Sequence, residues 1–452
     1  MPTQMQPILN RRVFTTSREL EYFSENELVT QTGYERESWW PSVLVKELLD
    51  NSLDACEQAH IAPVVEIRLS PGELVVSDNG PGIPPDVITR ILDFATRTSD
   101  KAAYVSPTRG AQGNALKTVL AIPYVLNQGS PATVTITASG LRHRITISTD
   151  HVLRRPHIEQ RHEEVVKTEG TSICVTHNSA SSHAGDSHSV FLQQLVFDYS
   201  LFNPHATFKL REDGEEHIFG GTNNLWRKWV PSDPTPAHWY SLEQFEDLVA
   251  SYVAAERTGA RPRTVREFVS EFRGISSTVK QKQIVTQTGL DRAYLHDLLG
   301  TQGRLDRSVL LRLLEVMQEA SASPKPDSLG VLGESHFRQR LQASGKEDKS
   351  FRYKRLSGID SQGLPHVAEC AFVKTDNPLL RGTHIGLNWS VPLSNPIQEN
   401  SFDLGGAGRV WGLSALLATS RIDMERDPVC LALHLICPRF SFLDRGKGSV
   451  IL

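Results

Sequence analysis

Glu47-Leu-Leu-Asp50-Asn51-Ser-Leu-Asp54-Ala, followed 24 residues after Asp54 by Asp78-Asn-Gly80-Pro-Gly82, is the stretch whose reading decides the fold. Its first part lies within Val43 to His60, where apolar residues recur at helical spacing. At about 100° per residue, Leu44, Val45, Leu48, Leu49, Leu53 and Cys56 span one half of the wheel, while Glu47, Asp50, Asn51, Asp54 and Gln58 cluster on a narrow polar stripe. Taken alone, such a stripe is an ordinary solvated face. It is not alone, because the strand pattern Glu73 to Ser77 ends in Asp78, a carboxylate that can accept a hydrogen bond from an exocyclic amine. Gly80 and Gly82 let main chain approach a ligand where a Cβ would intrude.

A third element is Ser106-Pro-Thr-Arg109-Gly110-Ala-Gln-Gly113-Asn-Ala-Leu-Lys117, a glycine-bearing loop that runs into the apolar, helix-like stretch Thr118 to Val125. Successive N–H groups at a helix N-terminus form an anion site suited to phosphates. No Gly-Lys-Ser/Thr follows at Walker A spacing, so this is a different phosphate-binding design.

With 452 residues the chain exceeds the roughly 250–300 at which a single core stops growing, so two or three domains are expected. The first ~220 residues alternate helical and strand patterns, with strands at Val64–Leu69, Glu73–Ser77, Ala132–Ser139, Arg144–Thr149 and Thr171–Val175, which reads as an α/β sandwich. After a Pro-rich break at Pro231 to Pro236, Ser241 to Ala320 reads as mainly helical, with Val265, Phe268, Val269 and Phe272 on one stripe. A second break, Ser321 to Ser328, leads to strands at Val367–Val373 and His384–Trp389 and a helix at Val410–Arg421. The expectation is an α+β chain divided at 1–230, 231–323 and 324–452.

No apolar run approaches the ~20 residues needed to span a bilayer, and Met1 to Asn10 has no signal-peptide pattern, so a cytoplasmic protein without membrane contact is expected. Five cysteines without C-x-x-C spacing indicate neither a disulfide framework nor a zinc site. A net charge of −4 excludes coating of nucleic acid by a general positive field. Any DNA contact is local, and residues 257–292 carry a local excess of five positive charges.

In their order and spacing these elements resemble the GHKL ATPases, the superfamily of gyrase, the heat-shock chaperone, the mismatch-repair ATPase and sensor kinases. Glu47 to Ala55 resembles their N box, Asp78 to Gly82 their adenine-binding box, Arg109 to Lys117 their phosphate lid and Gly170-Thr171 their late Gly-Thr pair. Within the superfamily the chain is most similar to the topoisomerase VI B-subunit family, through Phe14 to Phe23, Ser106 to Gly113, Thr264 to Leu298, Pro326 to Glu334, Ile385 to Pro392 and Gly446-Lys447-Gly448. The resemblance implies a GHKL (Bergerat) ATP-binding α/β sandwich, a small helix-two-turn-helix-like domain and an α/β transducer-like domain. It implies ATP and Mg²⁺ as ligands, DNA as partner, a homodimer closed by ATP through the ATPase domain, and strand cleavage by a topoisomerase VI A-like (Toprim) partner.

By the same resemblance Glu47 is the general base, Asn51 the Mg²⁺ ligand and Lys447 a γ-phosphate sensor acting in catalysis. Nucleotide contacts are expected from Asn51, Asp54, Asp78, Gly80, Gly82, Thr96, Arg97, Gly110, Ala111, Gln112, Gly113, Asn114, Ala115, Leu116, Lys117, Thr171 and Lys447. Two departures stand out. Ala115 takes the place of the lid's last glycine, which predicts slow lid closure if that position needs a positive φ. Only five residues follow Lys447, where the family continues into a stalk helix that docks the A subunit, which counts against pairing in the family's manner and leaves a shortened or differently built contact as the alternative. The sequence holds no Asp-x-Asp pair of the Toprim type, which assigns cleavage to another protein. The rival readings are an ATP-gated dimeric clamp in a defence or chromatin-type module and, less favoured, a sensor-type kinase.

Overall fold

The computed structural model describes residues 19–95, 103–110, 114–150, 152–153, 155–167, 169–178, 187–300, 303–342, 349–398, 400–403, 409–424, 426–442 and 449–451. The N-terminal part runs α1 (Glu25–Thr32), α2 (Leu44–Gln58), β1 (Val64–Ser70), β2 (Glu73–Asp78), α3 (Pro85–Ile91), α4 (Ala115–Leu126), β3 (Ala132–Ala138), β4 (Leu141–Asp150), β5 (Arg155–Glu164), β6 (Thr171–Thr176), α5 (Ser187–Phe202), β7 (Thr207–Glu212) and β8 (Glu215–Phe219). Its strands form one eight-stranded sheet in the order β5-β4-β3-β6-β2-β1-β7-β8. Neighbours are antiparallel except β1 and β7, which pair in parallel.

Strand β3 shows why the sheet forms here: Ala132, Val134, Ile136 and Ala138 are buried and the threonines between them are not, the period of two that a one-sided core requires. Above the sheet, the apolar half of α2 is sealed, with Leu44, Val45, Leu49, Leu53 and Cys56 wholly inaccessible. Each such side chain contributes about 1.5–3 kcal/mol when removed from water. All five strands expected in this region exist. Strands β5, β7 and β8 were not legible, and β5 shows the reason: as an edge strand of the sequence RPHIEQRHEE it is mostly exposed and charged, without an apolar alternation to read.

The helical segment comprises α6 (Leu242–Arg257), α7 (Val265–Ser270), α8 (Thr278–Thr288) and α9 (Arg307–Glu319). Reciprocal capping boxes at Ser241/Gln244 and Thr264/Glu267 start α6 and α7. The stripe Val265, Phe268, Val269 and Phe272 is buried, and Phe268 and Phe272 pack edge-to-face at 5.2 Å between ring centroids.

Next come α10 (Glu334–Leu341), β9 (Arg352–Ile359), β10 (Pro365–Lys374), β11 (Gly382–Leu387), β12 (Ser401–Asp403), β13 (Arg409–Trp411), α11 (Gly412–Thr419) and β14 (Val429–Ile436). Four of the strands form a second sheet, in the order β11-β14-β10-β9. Strand β11 ends at Leu387, two residues short of the expected Trp389, because Asn388 and Trp389 take φ of 48° and 65° and turn the chain sharply.

Helix α5 packs against both sheets. Phe202 presses on Gly386 so closely that a Cβ there would lie 2.6 Å from the ring. Asp198 pairs with His384 of β11 at 2.7 Å. No described helix is long and apolar enough to cross a membrane.

Candidate nucleotide site

At the end of β2, Asp78 is fixed from three directions. Its Oδ1 accepts the N–H groups of Gly80 (2.9 Å) and Thr171 (3.1 Å), and its Oδ2 accepts the Ser52 hydroxyl at 3.0 Å. Burial pushes the Asp78 carboxyl above its ordinary value, and these three donors partly counter that. Neighbouring Asn79 is structural: its side chain binds Val64 N–H at 2.8 Å and donates to Ala62 C=O at 3.1 Å, tying the loop to β1. Gly170 lets β6 enter against this turn; with φ of 82°, a Cβ there would lie 1.7 Å from the Asp78 carbonyl oxygen. Gly82, at φ 83°, lies where a Cβ would meet the Ser139 hydroxyl at 3.1 Å.

A carboxylate held this way has one oxygen saturated by main chain and the other able to accept a further donor, which suits an exocyclic amine. Asp78→Asn is expected to weaken ATP binding about 10–100-fold, the worth of a charge-assisted hydrogen bond, with the circular dichroism spectrum unchanged. Titration calorimetry giving wild-type affinity would remove Asp78 from that role.

On α2 the polar stripe divides into two groups. Glu47 and Asn51 form the first, one helical turn apart. The Asn51 side-chain NH₂ is buried and has no hydrogen-bond partner among the described residues. A buried orphan donor is costly unless a ligand completes it. Its carboxamide suits a Mg²⁺-phosphate group, whose oxygens accept from NH₂ while the amide oxygen matches a hard cation.

The second group corrects the picture of a solvated stripe. Asp50, Asp54 and Glu57 are all buried. Arg109 donates to Asp54 Oδ1 at 2.6 Å, to both Glu57 oxygens at 2.6 and 2.7 Å, and to Asn203 Oδ1 at 2.6 Å. Lys228 stands 2.9 Å from Glu57 and 4.5 Å from the centroid of the Trp389 ring, and His205 closes the cluster 3.0 Å from Glu57. Burial alone would raise the Glu57 pKa, but Arg109 and Lys228 hold it well below the carboxylate range. Asp54, expected against nucleotide, therefore has its charge answered by protein. Arg109 and Glu57 were not singled out as partners because a 52-residue separation carries no local signal.

At the lid, Gly110 is exposed, and Asn114, Ala115, Leu116 and Lys117 open α4. Asn114 accepts the Tyr22 hydroxyl at 3.4 Å. Ala115 is the first residue of α4 and is absent from the positive-φ residues, so the expected conflict with a left-handed glycine position does not arise in this conformation. Lys117 is buried, donates to the Asp93 carbonyl at 2.5 Å, and lies 5.9 and 5.6 Å from the ring centroids of Tyr22 and Phe94. Thr171 contributes its amide to Asp78. Thr96, Arg97, Ala111, Gln112, Gly113 and Lys447 lie outside the described residues.

Residues 40–149, which hold this constellation, match the family described as "Histidine kinase-, DNA gyrase B-, and HSP90-like ATPase". Beyond them, the chain is similar to proteins named as the B subunit of type 2 DNA topoisomerase 6. The protein of that name from Archaeoglobus fulgidus is 26% identical over 463 aligned positions, covering 95% of this chain and 69% of the relative. The one from Thermococcus onnurineus is 28% identical, covering 95% and 81%, and the one from Thermococcus kodakarensis is 28% identical over a shorter match, covering 57% and 44%. This chain thus spans between under half and four fifths of those relatives' own length. The turn at Asp78, the orphan amide of Asn51 and the helix-opening lid thus lie on one sandwich, within the segment that matches the gyrase- and HSP90-like ATPase family, in a chain that is similar over 95% of its length to topoisomerase VI B subunits.

Proposed function

We propose that this chain is the ATP-binding and ATP-hydrolysing B-type subunit of a topoisomerase VI-like, type IIB DNA-processing complex. The observation that carries the reading is the unpartnered, buried amide of Asn51, which stands on the helix that also positions Ser52 against Asp78. Adenine is selected by Asp78, with Gly80, Gly82 and Thr171 shaping the turn. Glu47 accepts the proton of the attacking water, and Asn51 would hold the metal. Mg²⁺, when bound, offsets the phosphate charge and polarises the γ-phosphoryl group. The lid from Gly110 to Lys117 supplies main-chain donors, and Lys447 reaches the terminal phosphate.

In this reading residues 1–230 form the ATPase domain, 231–323 a helix-two-turn-helix-like domain and 324–452 a transducer-like domain. Two copies close on ATP through the ATPase domain to gate DNA in the cytoplasm, and a Toprim partner breaks the strands. Asn51→Ala is expected to weaken Mg²⁺-dependent nucleotide binding about 10–100-fold. Isothermal titration showing wild-type affinity would contradict the assignment of Asn51. The function itself is tested by co-purification with a Toprim protein, followed by a supercoiled-plasmid assay. ATP-dependent relaxation that needs both proteins is expected. ATP hydrolysis with dimer closure but no change in DNA topology would favour the clamp reading instead.

A further inference from the structure

The carboxylate expected to activate water is connected, through side chains alone, to the second sheet. Lys46 Nζ stands 3.5 Å from Glu47 Oε1 and 3.2 Å from Asp50 Oδ2. The same Asp50 Oδ2 accepts the Ser390 hydroxyl at 2.7 Å, and Asp50 Oδ1 accepts the Tyr199 hydroxyl at 2.8 Å, with Arg109 Nε 3.9 Å away. Burial alone would lower the Lys46 ammonium pKa, but Asp50 and Glu47, with Tyr199 and Tyr34, hold it well above the ordinary lysine value. It remains a cation.

Ser390 is set in place with unusual firmness. It follows Asn388 and Trp389, the two positive-φ residues after β11, and closes the turn with reciprocal main-chain bonds to Leu387 of 2.9 and 3.1 Å. The Asn388 side chain donates to Cys437 C=O at 2.9 Å and accepts from Cys437 N–H at 3.0 Å, while Asn203 donates to Trp389 C=O at 2.9 Å. Asparagine visits this region readily, but a bulky residue such as Trp389 holds it only where surrounding contacts over-determine it.

We infer that Lys46 and Ser390 are positioning residues for Glu47, and that the chain Ser390–Asp50–Lys46–Glu47 makes ATP turnover depend on how the second sheet is seated against α2. The inference rests on Glu47 acting as the general base. Asp50 divides its charge between Lys46 and Ser390. Without the Ser390 hydroxyl, Asp50 draws the ammonium toward itself, and Glu47 loses the partner that orients it.

The test is single-turnover hydrolysis by the full chain, with nucleotide affinity measured by titration of a non-hydrolysable ATP analogue. Ser390→Ala should lower the hydrolysis rate constant about tenfold and Lys46→Met about a hundredfold, with analogue affinity within about twofold of wild type, since a misplaced catalytic group loses rate rather than binding. Ser390→Thr, which keeps the hydroxyl, should restore the rate, a rescue that loss of packing would not give. The double variant Ser390→Ala/Lys46→Met should be no slower than Lys46→Met alone, as expected of groups acting as a unit. Full-rate hydrolysis by Ser390→Ala and Lys46→Met, alongside an inactive Glu47→Ala, would overturn this inference alone. A fully active Glu47→Ala would overturn the general-base reading beneath it.

Discussion

Replacing Glu47 by alanine is expected to lower ATP hydrolysis roughly 10²–10⁴-fold while ATP remains bound, because a positioned base removes a proton only in the transition state. Glu47 occupies the first turn of a helix whose apolar half is locked in the core, so truncating it leaves the backbone of the site in place. Its ion-pair partner among the described residues is Lys46, which retains Asp50 when Glu47 is gone. Phosphate release by the variant under saturating ATP, with affinity measured separately, distinguishes lost chemistry from lost binding. Turnover at the wild-type rate would exclude Glu47 as the base.

Replacing Arg109 by methionine should have the largest effect on stability, about 3–5 kcal/mol, the range found when one partner of a buried ion pair is removed. The Arg109 side chain is wholly inaccessible and answers Asp54, Glu57 and Asn203 at once. Among the described residues, Lys228 and His205 then remain against Glu57. Arg109→Lys should be nearly as damaging, since an ammonium cannot reproduce the planar fork that bonds both Glu57 oxygens. Urea unfolding without nucleotide gives the difference, and a loss below about 1 kcal/mol would show that the cluster is not held dry.

The same cluster predicts acid sensitivity. Glu57 has a folded-state pKa depressed below its unfolded value, so its contribution is complete above the ordinary glutamate range and is lost as pH falls through the folded value. His336 works in the same direction: buried against the Leu201 carbonyl, it is pushed down to about 4, so below its unfolded value the unfolded chain takes up a proton that the folded chain refuses. The His336 contribution should therefore be lost as pH falls from about 6.5 to about 4, and that of Glu57 only below the ordinary glutamate range, a two-stage loss that urea unfolding at a series of pH values would resolve.

What could be read from the residues follows from range. Helix α2 and strands β3 and β6 announce themselves because their apolar periodicities are local and their less buried positions contrast with their buried ones, and β2 does so as a short apolar run buried on both faces. Edge strand β5 and the early end of β11 did not, the first for want of contrast and the second because the turn at Asn388 and Trp389 is imposed by Cys437 and Asn203, residues 49 and 186 positions away. Asp50 and Asp54 illustrate the same limit. A helical wheel places them beside Glu47 and Asn51, yet burial by the turn after β11, α5 and Arg109 turns them into anchoring groups.

The alternation of helical and strand patterns by itself determined the sandwich, because those periodicities act within one turn or one strand, while the order and spacing of Glu47, Asn51, Asp78, Gly110 and Gly170 carried the resemblance that implied a nucleotide. Only the tertiary structure decided which acids on α2 are buried and answered by protein: Asp54 and Glu57 by Arg109, and Asp50 by Lys46, Ser390 and Tyr199. That choice depends on desolvation and on partners up to 340 positions apart, and neither quantity is written in any local stretch of the chain.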